Sequence, residues 1–188
     1  GLSSGNPIAV GFGLMVLVYC GAHISGAHYN PAVTLAMFLQ KEISALDSIK
    51  YFISQVLGST LAALSIYLMK SNMLVQPVLG DSIYSIFFSE IIFTVLLVCV
   101  ILNVATHPNL TGNSFYGLAI GLTVMAGIFS VGPVSGAVFN PAVSLGPSII
   151  DLVTGEGVSH YFLWYYLVFP TIGSILAVLS FKFLLTNE

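Results

Sequence analysis

Residues 25–36 read SGAHYNPAVTLA, and residues 135–146 read SGAVFNPAVSLG. Eight of the twelve positions are identical in the two segments, which lie 110 residues apart. A match of this length at one fixed offset indicates an internal duplication. We therefore predict two homologous repeats, residues 1–78 and residues 79–188, that together form one domain.

The composition is that of a membrane protein. Of the 188 residues, 57% are hydrophobic and 6% are charged, whereas soluble domains carry about 25% charged residues. So few charges cannot keep a folded surface in water, which indicates a lipid bilayer as the surroundings. The net charge of -3 is small, and without a basic patch we exclude nucleic acid as a partner.

Five apolar stretches are long enough to cross a bilayer, which takes about 20 residues in a helix. They are residues 7–24, 48–69, 82–104, 115–132 and 160–184. Two shorter apolar stretches, 31–40 and 141–152, each begin at a proline. Proline suits the first turn of a helix, and about ten residues fit a re-entrant half-helix rather than a span. The predicted fold is an all-α membrane protein.

Small residues recur at a spacing of four within the spans. Gly117 and Gly121 are one such pair, and Gly58 and Ala62 are another. This spacing lets membrane helices approach closely. Glycine is also simply frequent in such helices, so either pair alone leaves both explanations open.

The positions of the two repeated motifs predict an inverted arrangement. Three full spans separate Asn30 from Asn140, so the two half-helices enter from opposite faces of the membrane. Inverted repeats with broken helices at the midplane form solute paths in many membrane proteins. The second repeat begins near Ser82, 58 residues before Asn140, whereas only 29 residues precede Asn30. We expect the first repeat to lack its first span.

Lysine placement predicts the orientation. Lys41, Lys50 and Lys182 fall on one side by the count of spans, and they are three of the four basic residues. Because basic residues concentrate in cytoplasmic loops, that side and the C-terminus are predicted to be cytoplasmic in a multi-pass protein.

The predicted site consists of the backbone carbonyls that precede each proline and of the two asparagine side chains. Irregular backbone at membrane depth is tolerated only where it is buried in protein or lines a watery cavity. We expect carbonyl groups there to form a ladder of acceptors along a pore; they belong to Gly26, Ala27, His28, Tyr29, Gly136, Ala137, Val138 and Phe139. Asn30 and Asn140 should cap the half-helices, and their amides are predicted to donate into the pore at its midplane.

The paired Asn-Pro-Ala motifs, each preceded by Ser-Gly-Ala, resemble those of the aquaporin family of major intrinsic proteins. The resemblance covers nearly the whole chain and implies six helices plus two half-helices, a pore in each subunit and a homotetramer. It implies that Glu90 braces a re-entrant loop by accepting backbone hydrogen bonds, and that the missing first span carries a matching glutamate.

The resemblance also places the selectivity filter. Its four positions fall on Val10, Ile128, Ala137 and Val143. Most family members have arginine at the position of Val143, and water channels usually have phenylalanine and histidine at the positions of Val10 and Ile128. The filter of this chain should therefore be wider, uncharged and apolar.

The leading hypothesis is a passive channel for water or another small neutral solute that excludes ions and protons. The solute stays open among water, glycerol, urea and ammonia. Two alternatives are a closed-pore structural membrane protein and a secondary transporter of a small neutral solute. We predict no enzyme, cofactor or metal site, because the sequence shows neither a nucleophile–base pair nor a cluster of metal ligands.

Overall fold

The computed structural model describes residues 6–70, 75–77, 82–110, 112–154 and 158–185. Every regular element in these ranges is helical. Five of the helices are long and apolar enough to cross a membrane, and two shorter ones begin at Pro31 and Pro141. The prediction of an all-α membrane protein is confirmed. The predicted boundary between repeats, at residues 78 and 79, lies outside the described residues.

The α-helices of the described ranges are numbered in chain order. They are α1 (Pro7–Ser25), α2 (Pro31–Leu39), α3 (Ala45–Lys70), α4 (Ile83–Thr106), α5 (Tyr116–Ser135), α6 (Pro141–Thr154) and α7 (Ser159–Leu185). A single 3-10 turn, Pro108–Leu110, follows α4.

Two helix ends lie three residues beyond their predicted positions. Helix α3 begins at Ala45 rather than residue 48, because the hydroxyl of Ser44 accepts the amide of Asp47 at 3.1 Å and caps the first turn. Helix α5 continues through Pro133 to Ser135. A proline inside a membrane helix is tolerated where neighbouring groups satisfy the freed backbone.

Helix α4 lies at the centre of the structure. It packs against α5, α7 and the short helix α2, while α1 packs along α5. The short helices lie against long helices of the opposite half of the chain, α2 on α7 and α6 on α3. The two short helices also contact each other, so their N-terminal loops are brought together inside the protein.

Of the two explanations left open for Gly117 and Gly121, the structure favours close approach, because both glycines lie where α1 packs on α5. A Cβ atom on Gly121 would lie 2.8 Å from the Cβ of Met15, and one on Gly117 would lie 2.9 Å from the ring of Tyr19. By contrast, no described atom lies within 4 Å of a Cβ built on Gly58. The glycine of that second pair does not mark a helix contact within the described structure.

Candidate functional site

Asn30 and Asn140 hold the two re-entrant loops together. The side-chain amide of Asn30 donates to the carbonyl of Phe139 at 2.9 Å, and the amide of Asn140 donates to the carbonyl of Tyr29 at 2.9 Å. Each asparagine therefore bonds to the residue immediately before the other. The N-termini of α2 and α6 consequently meet within the protein.

The same two side chains cap their own helices. The amide oxygen of Asn30 accepts the backbone N–H of Ala32 at 2.8 Å, and that of Asn140 accepts the N–H of Ala142 at 3.0 Å. The predicted capping role is therefore confirmed. A primary amide carries a second N–H, so each side chain keeps one donor beyond the bond that links the loops.

The loop backbones share an unusual conformation at matching positions. Three residues in the first loop have positive φ, and so do their counterparts 110 residues later: Gly26, Ala27 and Tyr29, and Gly136, Ala137 and Phe139. The left-handed conformation costs a non-glycine residue about 1–2 kcal/mol. Strain of this kind persists where the surrounding structure fixes it, and it concentrates at functional sites.

Glu90 fixes the second loop. Its two carboxylate oxygens accept the N–H groups of Val138 at 3.1 Å and Phe139 at 2.7 Å. The side chain is fully buried in α4. In the first loop, the corresponding amides of His28 and Tyr29 have no hydrogen-bond partner among the described residues. The brace seen at Glu90 is thus present on one loop only within the described structure.

The carbonyl groups divide into two sets. Those of Tyr29 and Phe139 accept the asparagine amides. The carbonyls of residues 26–28 and 136–138 accept no hydrogen bond from any group that the structure describes. Both stretches line one cavity of about 970 Å³. The six carbonyls without a described partner thus belong to residues of the cavity wall, and acceptors on a pore wall are groups with which a passing solute can exchange its hydration.

All four predicted filter residues, Val10, Ile128, Ala137 and Val143, line this same cavity. None has a polar side-chain atom, so the wall is apolar here except for its backbone. The described wall of the whole cavity contains no Asp, Glu, Lys or Arg. The structure thus brings the predicted site residues around one space, while Glu90 stands behind the loop instead of on the wall.

Most of the remaining wall was absent from the sequence prediction. Helix α1 contributes Leu14, Val18 and Ala22, which follow Val10 at intervals of four residues. Helices α4 and α5 add further apolar side chains, namely Leu97, Ile101, Ile120 and Val124. Counting in steps of four from Val10 leads to these three residues. The sequence alone does not single them out, because the other faces of this membrane helix are apolar too.

The two ends of the cavity differ in polarity. Tyr116, at the start of α5, lines one end together with Asn113. The other end is formed by the C-terminal part of α5, near Ile128, and by the loop before α6. Helix α1 runs beside α5 in the opposite direction, with Gly11 next to Met125 and Tyr19 next to Tyr116. Val10 is therefore at the Ile128 end.

Comparison with known proteins decides the family. The family model for major intrinsic proteins matches residues 3–181 of the chain. This chain belongs to the major intrinsic protein family. Among the residues that the structure describes, no three His, Cys, Asp or Glu side chains are grouped to hold a metal ion.

Two relatives of the chain come from a plant and a bacterium. The chain is 40% identical over 186 residues to Aquaporin NIP1-2 of Arabidopsis thaliana, covering 91% of this chain and 59% of that protein. It is 37% identical over 188 residues to Glycerol uptake facilitator protein-like 6 of Lactiplantibacillus plantarum, covering 94% of this chain and 84% of that protein. The chain thus spans about three fifths of the plant relative's length.

A solved structure shares the fold. The X-ray structure of the aquaglyceroporin from Plasmodium falciparum superimposes with a TM-score of 0.81, covering 93% of this chain and 81% of the other. At 23% identity, the likeness shows a common fold for this member of the family.

Proposed function

We propose that this chain forms a passive transmembrane channel for water and small uncharged solutes. The observation that carries the proposal is the cavity lined by the two linked loops, whose carbonyls at residues 26–28 and 136–138 have no described partner, and by apolar residues of α1, α4 and α5. A solute can lose water there and regain hydrogen bonds from the wall. The names aquaporin and glycerol uptake facilitator, borne by relatives, agree with such a role.

Exclusion of ions follows from the proposed pore. The described wall carries no charged side chain to replace the hydration of an ion, and an ion that is dehydrated without compensation is strongly disfavoured. The N-termini of α2 and α6 meet near Asn30 and Asn140 and place two partial positive charges at one point. Both effects oppose cations, including hydronium.

A secondary transporter is the second candidate, and the contacts of Glu90 argue against it. Coupling to an ion needs an ionisable group that the solute path can reach. Both oxygens of Glu90 are occupied by loop amides, and the residue does not line the cavity. Its position suits a structural brace.

The proposed orientation and assembly follow from other features. Lys182 donates to the carbonyl of Leu39 at 2.9 Å, so it lies beside Lys41 at one end of the molecule. We propose that this end and the C-terminus face the cytoplasm, because it collects basic residues. We also propose a homotetramer, each subunit holding its own cavity; a mass of four subunits in lipid nanodiscs would support it, and a monomer would contradict it.

Downhill flux in proteoliposomes tests the channel. Vesicles with the purified protein should shrink and reswell faster than empty vesicles under a glycerol gradient, with no ion gradient present. A secondary transporter would need the ion gradient. A closed-pore structural protein would give the rate of empty vesicles.

A further inference from the structure

A second short repeat lies on α3 and α7, the last helix of each predicted half of the chain. Residues 56–60 read VLGST, and residues 171–175 read TIGSI. The two segments share a Gly-Ser pair, at positions 58–59 and 173–174. The serines of these pairs are Ser59 on α3 and Ser174 on α7.

Each of the two serines bonds to the short helix of the opposite half. The hydroxyl of Ser174 donates to the carbonyl of Ala32 at 2.6 Å, and the hydroxyl of Ser59 donates to the carbonyl of Ala142. The two acceptors are the alanines of the two Asn-Pro-Ala motifs. The contacts are therefore equivalent in the two halves, and each joins one half to the other.

Other hydroxyl groups on the same two helices behave differently. Four of them donate to the carbonyl four residues earlier in their own helix: Thr60, Ser65, Thr171 and Ser180. That local bond is the usual one for serine and threonine inside a helix. Ser59 and Ser174 instead donate to a second helix, so their bonds fix the position of one helix against another.

Glycines make room for both contacts. A Cβ atom on Gly146 of α6 would collide with the side chain of Ser59. A Cβ atom on Gly173 would lie 2.8 Å from the Cβ of Thr94 on α4, so this glycine lets α7 lie close to α4. Ser174 itself is fully buried. At such a site, water cannot replace the hydroxyl as the donor to the carbonyl.

The same alanines are also held by the asparagines. The N–H of Ala32 bonds to the side-chain oxygen of Asn30 at 2.8 Å, while its carbonyl accepts the hydroxyl of Ser174. Ala142 is held in the same way, by the oxygen of Asn140 at 3.0 Å and by Ser59. Each asparagine is thus connected to a serine through one residue, and a displacement of that residue displaces the asparagine.

We propose that Ser59 and Ser174 are positioning residues of the channel. Each fixes, from the opposite half of the chain, how far a short helix reaches into the protein, and therefore where Asn140 or Asn30 directs its remaining amide N–H. Neither serine belongs to the described cavity wall, so both act through the short helices. The inference rests on the proposed channel function and assigns two further residues to it.

Removal of each hydroxyl tests the proposal. Ser59→Ala and Ser174→Ala delete the donor, and Ser59→Thr keeps it. Ser65→Ala on α3 and Ser180→Ala on α7 are the matched controls, because both serines are exposed and bond to their own helix. Water flux per inserted protein is measured by light scattering of proteoliposomes. Hydrogen exchange at the amide of Ala142 is measured in the Ser59 and Ser65 variants.

The loss of one hydrogen bond shifts an equilibrium between two helix positions about two- to tenfold. We therefore expect Ser59→Ala and Ser174→Ala to lower water flux per protein by about the same factor. Exchange at Ala142 should become faster in Ser59→Ala. Ser59→Thr and both controls should keep the wild-type values. Should the fully buried Ser174→Ala variant fail to fold, the half-buried Ser59→Ala variant decides.

Three results would overturn the inference. They are wild-type flux in Ser59→Ala, an equal loss of flux in Ser65→Ala, and a loss in Ser59→Thr as large as that in Ser59→Ala. In each case, flux through the wild-type protein would leave the proposed channel standing. Absence of protein-dependent flux in the wild type would overturn the channel and, with it, the inference.

Discussion

Asn30 and Asn140 are linked reciprocally: each donates its side-chain amide, at 2.9 Å, to the carbonyl of the residue that precedes the other. Because each also caps its own short helix, one pair of side chains fixes both helix starts and the spacing of the two loops. Both asparagines and both residues that accept their amides belong to the cavity wall.

Replacing Asn140 with aspartate should separate the two roles of the side chain. A carboxylate can still cap Ala142, but it cannot donate to the carbonyl of Tyr29. Losing that hydrogen bond should lower the free energy of unfolding by about 0.5–1.5 kcal/mol, measured as a lower midpoint of thermal unfolding in detergent. Asn6→Asp is the control, since Asn6 is exposed and caps α1 through its side-chain oxygen alone. Equal effects of the two substitutions would contradict the proposed link.

Replacing Glu90 with glutamine should release the second loop. Glutamine keeps one acceptor, so the N–H of Val138 or Phe139 loses its partner and meets a donor instead. We expect a loss of about 1–3 kcal/mol in unfolding free energy, together with faster hydrogen exchange at these two amides. Exposed Glu42 is the control, and Glu42→Gln should change neither quantity. Unaltered exchange in Glu90→Gln would show that the carboxylate is not a brace.

Much of this site could be predicted from the sequence, because the residue types show the helix caps and the internal repeat shows that there are two of them. Asparagine before Pro-Ala predicts a helix cap, and the duplication predicts two of them. The partners across the loops could not be predicted, because they depend on how α2 and α6 meet. Positive φ at Tyr29 and Phe139 was also hidden, since aromatic residues rarely adopt it.

Glycine spacing shows the same limit in the helices. Gly121 and Gly58 occur in similar patterns, but only Gly121 contacts a neighbouring helix in the described structure. The glycine pattern indicates that a second helix could pack closely at the position. Whether a helix does pack there depends on the tertiary structure.

Replacing Gly121 with alanine should force α1 and α5 apart. The added Cβ would lie 2.8 Å from that of Met15, and such overpacking costs about 1–3 kcal/mol. Because both helices line the cavity, we expect lower thermal stability and altered water flux. Gly13→Ala on α1 is the control, since no described atom lies within 4 Å of its new Cβ. Equal stability of the two variants would exclude a tight contact at Gly121.

Replacing Val143 with arginine should narrow the filter and add a charge. The guanidinium group is long and carries several donors, so glycerol flux should fall several-fold more than water flux. The comparison is a ratio within the same vesicles, which cancels the amount of protein inserted. A ratio that stays at the wild-type value would place the filter elsewhere along the cavity.

The central claim is that solutes pass between the two re-entrant loops. Chemical modification of a cysteine introduced into the cavity wall tests it most directly. Free Cys20 and Cys99 are first replaced with serine and alanine, and Val143→Cys is then introduced. Leu57→Cys, on an exposed face of α3 away from the cavity, is the control. A small thiol reagent should reduce protein-dependent water flux at least about tenfold in Val143→Cys and leave Leu57→Cys unchanged. Full flux through a completely labelled Val143→Cys protein would contradict the account.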